Sequence, residues 1–542
     1  MRHWRVSLPP RGASCGRTPN IEFAQQSARI VLVNRPQPDT TAIAPFQDTY
    51  TPTGSAKEAV PPAASMFWRP LFWASSGAVA IMANYLYFGH FDIALLVAPD
   101  SASYLEFTPE RTAGYPLFLR LLSPLYPQSV AVAQLNLYLA AVIWLGHSML
   151  RLFPWPWAAW LVTLMLAGHT SLQLLAMWHL SDSLFASLTI AVLAAIAHLL
   201  MRPSTRWAVV ASTLCAAAIL VRPAGYYLFG VLIFLSITMP ARNIRMQTAL
   251  WVPVTASLVI ASATNMVHFG VFSPQVMGGY SLVGHVAEKI ESQPGGVHAS
   301  LAESIAARLR PVLEKRPVAP YPLGYQEITT ADYNEILWQN VIPEIAAYVA
   351  RTDPTKDAQV ATSAVAGELA RTVIRTHPAW YARHVTAHFL GLADPLLDDP
   401  PRVDLEINWS AEHSNRLLAD SVELSLQGIP PSRVVDKPLP TLLAAVLWLL
   451  NLPWVILAAY AVPLLIVLAL ATVMLSLLSI SRRTPLICFT AVLGLSAMGY
   501  MLLVSSVQVA LYRYTLIAVP PTALLTLIGL ATASSWLRKR LL

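Results

Sequence analysis

Cysteine is scarce in this chain. Cys15, Cys215 and Cys488 lie far apart in 542 residues, two of them inside apolar stretches, which argues against a disulfide framework or a thiolate metal site. Lysine is almost as rare for a basic protein, since only 6 of the 36 lysines and arginines are lysine. Charged residues make up 12% of the chain, too few to clothe a soluble protein of this length. There is no Walker loop, no Gly-x-Gly-x-x-Gly fingerprint and no Gly-x-Ser-x-Gly elbow, so no motif points to nucleotide binding or to serine hydrolysis. No internal repeat is visible. The first 65 residues hold no continuous apolar run and are rich in Pro, Thr and Ser, so they read as a disordered cytoplasmic tail and not as a signal peptide.

What is abundant is apolar sequence. At 55% hydrophobic residues and a mean hydropathy of +0.52, the chain falls in the multi-span membrane class. A helix needs roughly 20 apolar residues to cross the hydrocarbon core. Segments near 71–88, 129–149, 157–176, 183–201, 207–221, 224–240, 248–268, 455–479, 486–507 and 514–535 qualify. Asn451-Leu452-Pro453 breaks the long run from Pro440 to Ile480, leaving 441–452 as an interfacial or re-entrant piece. The expectation is an all-α polytopic membrane protein with about ten transmembrane helices and a large, mostly helical extracytoplasmic domain. Its parts are a tail (1–65), an N-terminal membrane domain (66–269), the extracytoplasmic domain (270–438) and C-terminal membrane helices (439–542).

With the N-terminus inside, Arg69, Arg151, Arg202, Arg206, Arg242, Arg245, Arg482, Arg483, Arg538, Lys539 and Arg540 gather at the cytoplasmic ends, as the positive-inside bias requires. Much of the formal charge of +7 is thereby assigned to orientation, and no nucleic-acid partner is implied. Arginine in place of lysine in an Ala- and Leu-rich chain fits GC-rich bacterial coding, hence a bacterial cytoplasmic membrane. The opposite face receives Asp100, Arg111, His179, Asp182, Arg222, Arg513 and the segment from about 270 to 438. Within that segment Ser300 with Glu303 reads as a capping box, and Asp353-Pro354 and His377-Pro378 open further helices. Pro378 to Leu392 is amphipathic and suits a membrane surface, followed by an extended Pro- and Asp-rich connection over 393–404.

Ionisable groups beside hydrocarbon are costly to hold and mark functional sites. The run from Asp100 to Leu119 sets a carboxylate, an arginine and an aromatic-proline turn just after the first span, and reads as the core of an active site. Asp100 is the candidate base. Arg111, Arg222 and Arg513 suit phosphate oxygens by their planar fork, or else snorkel to headgroups. Tyr104 and Tyr115 stack on a sugar or join the interfacial aromatic belt. Asp182 is either an N-cap or a functional carboxylate. His179 and Asp182 together offer two ligands to a divalent cation, too few to define a metal site. His384 and His388, at i, i+4 without the glutamate of His-Glu-x-x-His, read as one face of an amphipathic helix.

Four pieces carry a family resemblance: Asp100-Ser101-x-x-Tyr104 with Arg111-Thr112-Ala113-Gly114-Tyr115-Pro116-Leu117-Phe118, Ser181-Asp182-Ser183-Leu184, Val221-Arg222-Pro223-Ala224-Gly225, and Arg513-Tyr514. Together they resemble the GT-C superfamily of lipid-phosphate-sugar-dependent glycosyltransferases, in particular bacterial relatives of protein O-mannosyltransferases and aminoarabinose transferases. Ala113 stands where the family's Arg-x-Pro-Gly-Tyr-Pro-Leu-Phe has proline, and Ser101 where the protein mannosyltransferases have a second acid. The resemblance implies inverting transfer of a sugar from a polyprenyl-phosphate donor in the membrane lipid to a hydroxyl of a protein, glycan or lipid acceptor, with Asp100 as base. A transporter or flippase of a lipid-linked substrate is the rival reading, and a non-catalytic assembly subunit a third.

Overall fold

The computed structural model describes residues 62–90, 101–105, 107–122, 128–238, 244–291, 298–315, 334–353, 357–393, 468–474, 476–477, 484–507 and 512–541. The tail over 1–61, Asp100, the piece at 441–452, most of the span expected over 455–479 and most of the extended connection lie outside the described residues. Among the described residues every regular element is helical.

The first eight α-helices are α1 (Pro62–Asn84), α2 (Ser101–Leu105), α3 (Gly114–Leu122), α4 (Gln128–Leu152), α5 (Pro156–Ala167), α6 (Thr170–Leu175), α7 (Ser181–Met201) and α8 (Thr205–Val221). A 3₁₀ turn at Pro223–Tyr227 leads into α9 (Leu228–Thr238), followed by α10 (Ile244–Phe269). After these come α11 (Met277–Val286), α12 (Ala299–Glu314), α13 (Ile342–Thr352), α14 (Ala358–Thr376) and α15 (Pro378–Ala393), then α16 (Pro485–Val507) and α17 (Tyr512–Leu541).

Among the described residues, five stretches are helical, long and apolar enough to cross a membrane: Trp68–Gly89, Ser129–Leu152, Ser181–Met201, Ile244–Phe269 and Pro485–Val507. They support a multi-pass membrane protein. Of the ten spans expected, 157–176 is not continuous: Gly168 and His169 end α5 and start the short α6, with the His169 ring accepting the Leu172 N–H. Helix α8 has 17 residues and rises only about 26 Å, at the short limit for a crossing. The apolar helices at Pro223–Thr238 and Leu516–Thr532 are similarly short.

Burial sorts the helices by position. Helix α7 is apolar on every side, and 83% of its membrane window is buried against α4, α8 and α16, so it is the centre of the bundle. In α1 and α10 the share is 28%, which leaves most of their surface for lipid.

Helices α11 to α14 build a second core around Val283, Val286, Leu301, Ile305, Leu309, Leu337, Ile345 and Ala370. Gly279 lets α11 cross α14 closely, since a Cβ there would fall 1.9 Å from the Ser363 carbonyl oxygen. Two expected caps are used differently. Ser300 sits inside α12, whose cap position is His298, so the Ser300/Glu303 box does not start that helix. Asp353 closes α13, and α14 is capped instead by Asp357, whose carboxylate accepts the Gln359 and Val360 N–H groups at 3.0 Å. Pro378 opens α15 as expected.

Candidate active site

The site gathers where α7 begins and α8 ends. Helix α7 starts at Ser181 behind an extended Leu180 that makes no side-chain cap. Asp182 therefore lies in the first turn with its carboxylate free to turn sideways. It forms an ion pair with Arg222, the residue that terminates α8. Asp182 is 1% exposed and the Arg222 side chain 15%. A buried carboxylate is held in its charged form only by such a partner. The Arg222 guanidinium also lies over the Tyr514 ring, 5.0 Å from its centroid, at the start of α17. A guanidinium has five N–H donors, and besides the Asp182 contact no hydrogen bond from the Arg222 guanidinium is formed among the described residues. The fork therefore keeps donors in reserve.

The first loop packs on the same place. Tyr104 is buried, with its hydroxyl 2.9 Å from Ser181 Oγ, beside Asp182. Arg111 donates to Ser103 Oγ at 2.8 Å and to the Tyr104 hydroxyl at 3.4 Å while stacking over the Tyr104 ring at 4.5 Å. Ser101 donates to the His179 carbonyl at 2.8 Å, which ties α2 to the turn before α7. Tyr115 is wholly enclosed, edge-on to Tyr104, and donates to Gln134 of α4. Gln134 in turn donates to the Ala176 and Trp178 carbonyls, fixing the turn from the other side. Tyr104 and Tyr115 thus shape the floor of the site.

Two backbone features show how tightly this is assembled. A Cβ on Gly114 would stand 2.6 Å from the Leu220 carbonyl carbon and oxygen, so only glycine lets α3 approach the end of α8. Phe107 has φ +53°, the left-handed region, in the bend between α2 and α3. Such strain in a non-glycine residue persists only where the surroundings hold it, and it clusters at functional sites. Next along the bend, the Val276 N–H donates to the Pro109 carbonyl at 3.0 Å, joining the first loop to the entry of α11.

His179 is enclosed behind Tyr115, with ring centroids 5.9 Å apart, and burial pushes its imidazole down to about 4. It is neutral at physiological pH. Asp182 is engaged with Arg222, and no described group of three or more ligands includes Asp182 or His179. Arg513 belongs to α17, but its side chain, like Asp100, lies outside the described residues.

No protein-family model matches the chain, and no curated protein does either. Among solved structures it is similar to ArnT from Cupriavidus metallidurans in the apo state (16% identity) and bound to undecaprenyl phosphate (14% identity). Each comparison covers 85% of this chain and 78% of that one with a TM-score of 0.30, too low to support an inference about fold or chemistry.

Ser181 and Tyr514 stand in the family-like pieces of the sequence without a role of their own, and Gln134 in none of them, yet all three support the site. Gln134, 0% exposed, carries a signal of its own as a polar side chain in an apolar span.

Proposed function

We propose that this protein is an inverting glycosyltransferase of the GT-C kind, moving a sugar from a polyprenyl-phosphate donor to an extracytoplasmic hydroxyl. The observation that carries the reading is the Asp182–Arg222 ion pair, with the first loop packed against Ser181 and Arg222 stacked on Tyr514. It supports the convergence of pieces that lie far apart in sequence and resemble one family's motifs.

In this reading the acceptor oxygen attacks the anomeric carbon from the face opposite the phosphate. Asp100 takes the hydroxyl proton as the new C–O bond forms, and the bond from that carbon to the phosphate oxygen breaks. The electron pair leaves with the polyprenyl phosphate. Arg222 and Arg513 receive the developing charge on the phosphate, where pre-set donors act most strongly. Asp182 positions the Arg222 fork, and Arg111, Tyr104, Tyr115 and His179 hold the loop that carries Asp100.

The test is transfer by the reconstituted full-length protein from a polyprenyl-phosphate sugar. Asp100→Asn lowers the rate by roughly 10²–10⁴-fold, the usual contribution of a general base. Arg222→Lys lowers kcat more than it changes KM. Transfer by Asp100→Asn at the wild-type rate overturns the assignment of the base. Movement of the lipid-linked substrate across liposomes without a glycosylated product replaces the enzyme reading with that of a flippase.

A further inference from the structure

Away from that site, three histidines from two helices meet. His285 lies in the last turn of α11, and His384 and His388 are one turn apart on α15. One ring nitrogen from each lies within 4.8 Å of the other two. The ring centroids are 4.4 to 4.8 Å apart in all three pairs. His285 is 1% exposed and His388 0%.

Packing alone gives a poor account of this cluster. Neither ring nitrogen of His285 has a hydrogen-bond partner among the described residues. A buried polar atom left in that state costs about 1–3 kcal/mol, which an apolar side chain would avoid. We propose that His285, His384 and His388 are the ligands of a divalent transition-metal ion of the zinc class, with the Glu288 carboxylate beside them.

The donor chemistry selects this class, because imidazole suits zinc and its neighbours whereas magnesium and calcium take oxygen. The geometry is partly in place. A tetrahedral ion holding nitrogens at about 2.0–2.1 Å sets them roughly 3.3 Å from one another. The His384 and His388 Nε2 atoms are already 3.1 Å apart. His384 also turns its other nitrogen, Nδ1, toward Glu288 Oε1 at 3.6 Å. Carboxylate, histidine and metal in line is the arrangement that fixes a ligand's tautomer and raises its basicity. His384 Nε2 lies 2.9 Å from the His285 carbonyl oxygen, a hydrogen bond that metal binding exchanges for coordination.

The ion would be structural. Two of its ligands are fully enclosed, and the stacked ring of Trp380 covers His384. It would clamp α11 to α15, closing a loop of about 100 residues between His285 and His384. Helix α15 is further tied to α16, since the Tyr381 hydroxyl donates to the Ser506 carbonyl at 2.5 Å. The clamp thus holds the extramembrane helices onto the bundle.

The experiment uses the full-length chain purified in detergent, stripped with a chelator and titrated separately with zinc and cobalt(II). The expected result is one tightly held zinc per chain and the intense visible absorption of four-coordinate cobalt. His285→Ala and His384→Ala abolish both, while His268→Ala leaves them unchanged. Glu288→Gln weakens zinc affinity roughly 10–100-fold. Because the alanine variants can fail by misfolding, His388→Cys gives an independent reading: a new thiolate-to-cobalt charge-transfer band that only direct coordination produces. A folded wild-type protein that takes up no stoichiometric zinc and shows no four-coordinate cobalt overturns the proposal. So does metal binding unchanged in the His285→Ala/His384→Ala double variant.

Discussion

The two ends of the central helix α7 treat arginine in opposite ways. At its start, Arg222 is largely buried, ion-paired to Asp182 and stacked on Tyr514. At its far end, about 30 Å away by helix rise, Arg69, Arg151 and Arg202 are exposed and border a cleft of ≈ 860 Å³ that no carboxylate among the described residues lines. The difference follows from solvation. An exposed guanidinium keeps its hydration and needs no counter-ion, so several can gather at one end of the bundle. One enclosed among helices must bring its own anion, and that requirement fixes where the α7 and α8 ends meet.

The sharpest way to break this contrast is to remove one member of the buried pair. Arg222→Ala leaves the enclosed Asp182 carboxylate without its ion-pair partner, and the expected loss is about 3–5 kcal/mol by denaturant titration in detergent. The Asp182→Leu/Arg222→Met double variant recovers most of that stability while remaining inactive in sugar transfer. Acid sharpens the same contrast at His179. Its folded value, about 4, lies below the ordinary 6.5, so its contribution is complete above about pH 6.5 and is lost as pH falls toward 4. Up to about 3 kcal/mol depends on that window, and the slope of stability against pH flattens in His179→Gln.

Gly114→Ala drives a methyl group into the Leu220 carbonyl and costs about 1–3 kcal/mol, whereas Gly77→Ala, inside α1 and in open space, costs nothing. Tyr104→Phe removes the hydroxyl shared by Ser181 and Arg111, for about 1–2 kcal/mol in thermal unfolding. At the opposite end, Arg151→Gln and Arg202→Gln each change stability by less than about 0.5 kcal/mol. An effect there as large as that of Arg222→Ala would erase the distinction between the two ends.

How much of this was legible in the sequence varies by scale. The helical class followed from apolar run length, because lipid leaves backbone groups no other partners. Caps were less legible. Asp357 and Ser300 are both plausible by local rules, but only Asp357 is placed at a helix start. At the site, Asp182 and Arg222 were identified as chemically expensive residues, yet 40 positions of sequence separate them and nothing local says that they pair. For His384 and His388 the spacing was visible, while their partner His285 was not, since it comes from 99 residues earlier.

Composition and run length alone therefore determined that the chain is helical and apolar, and where its costly ionisable groups lie. Those properties depend on neighbours a turn away and on the solvent. Tertiary structure alone decided that Asp182 meets Arg222, that Gly114 admits α3 to the end of α8, and that three histidines share one pocket. The reason is that burial and close approach belong to pairs of helices, and a helix face carries no record of which other face it will meet.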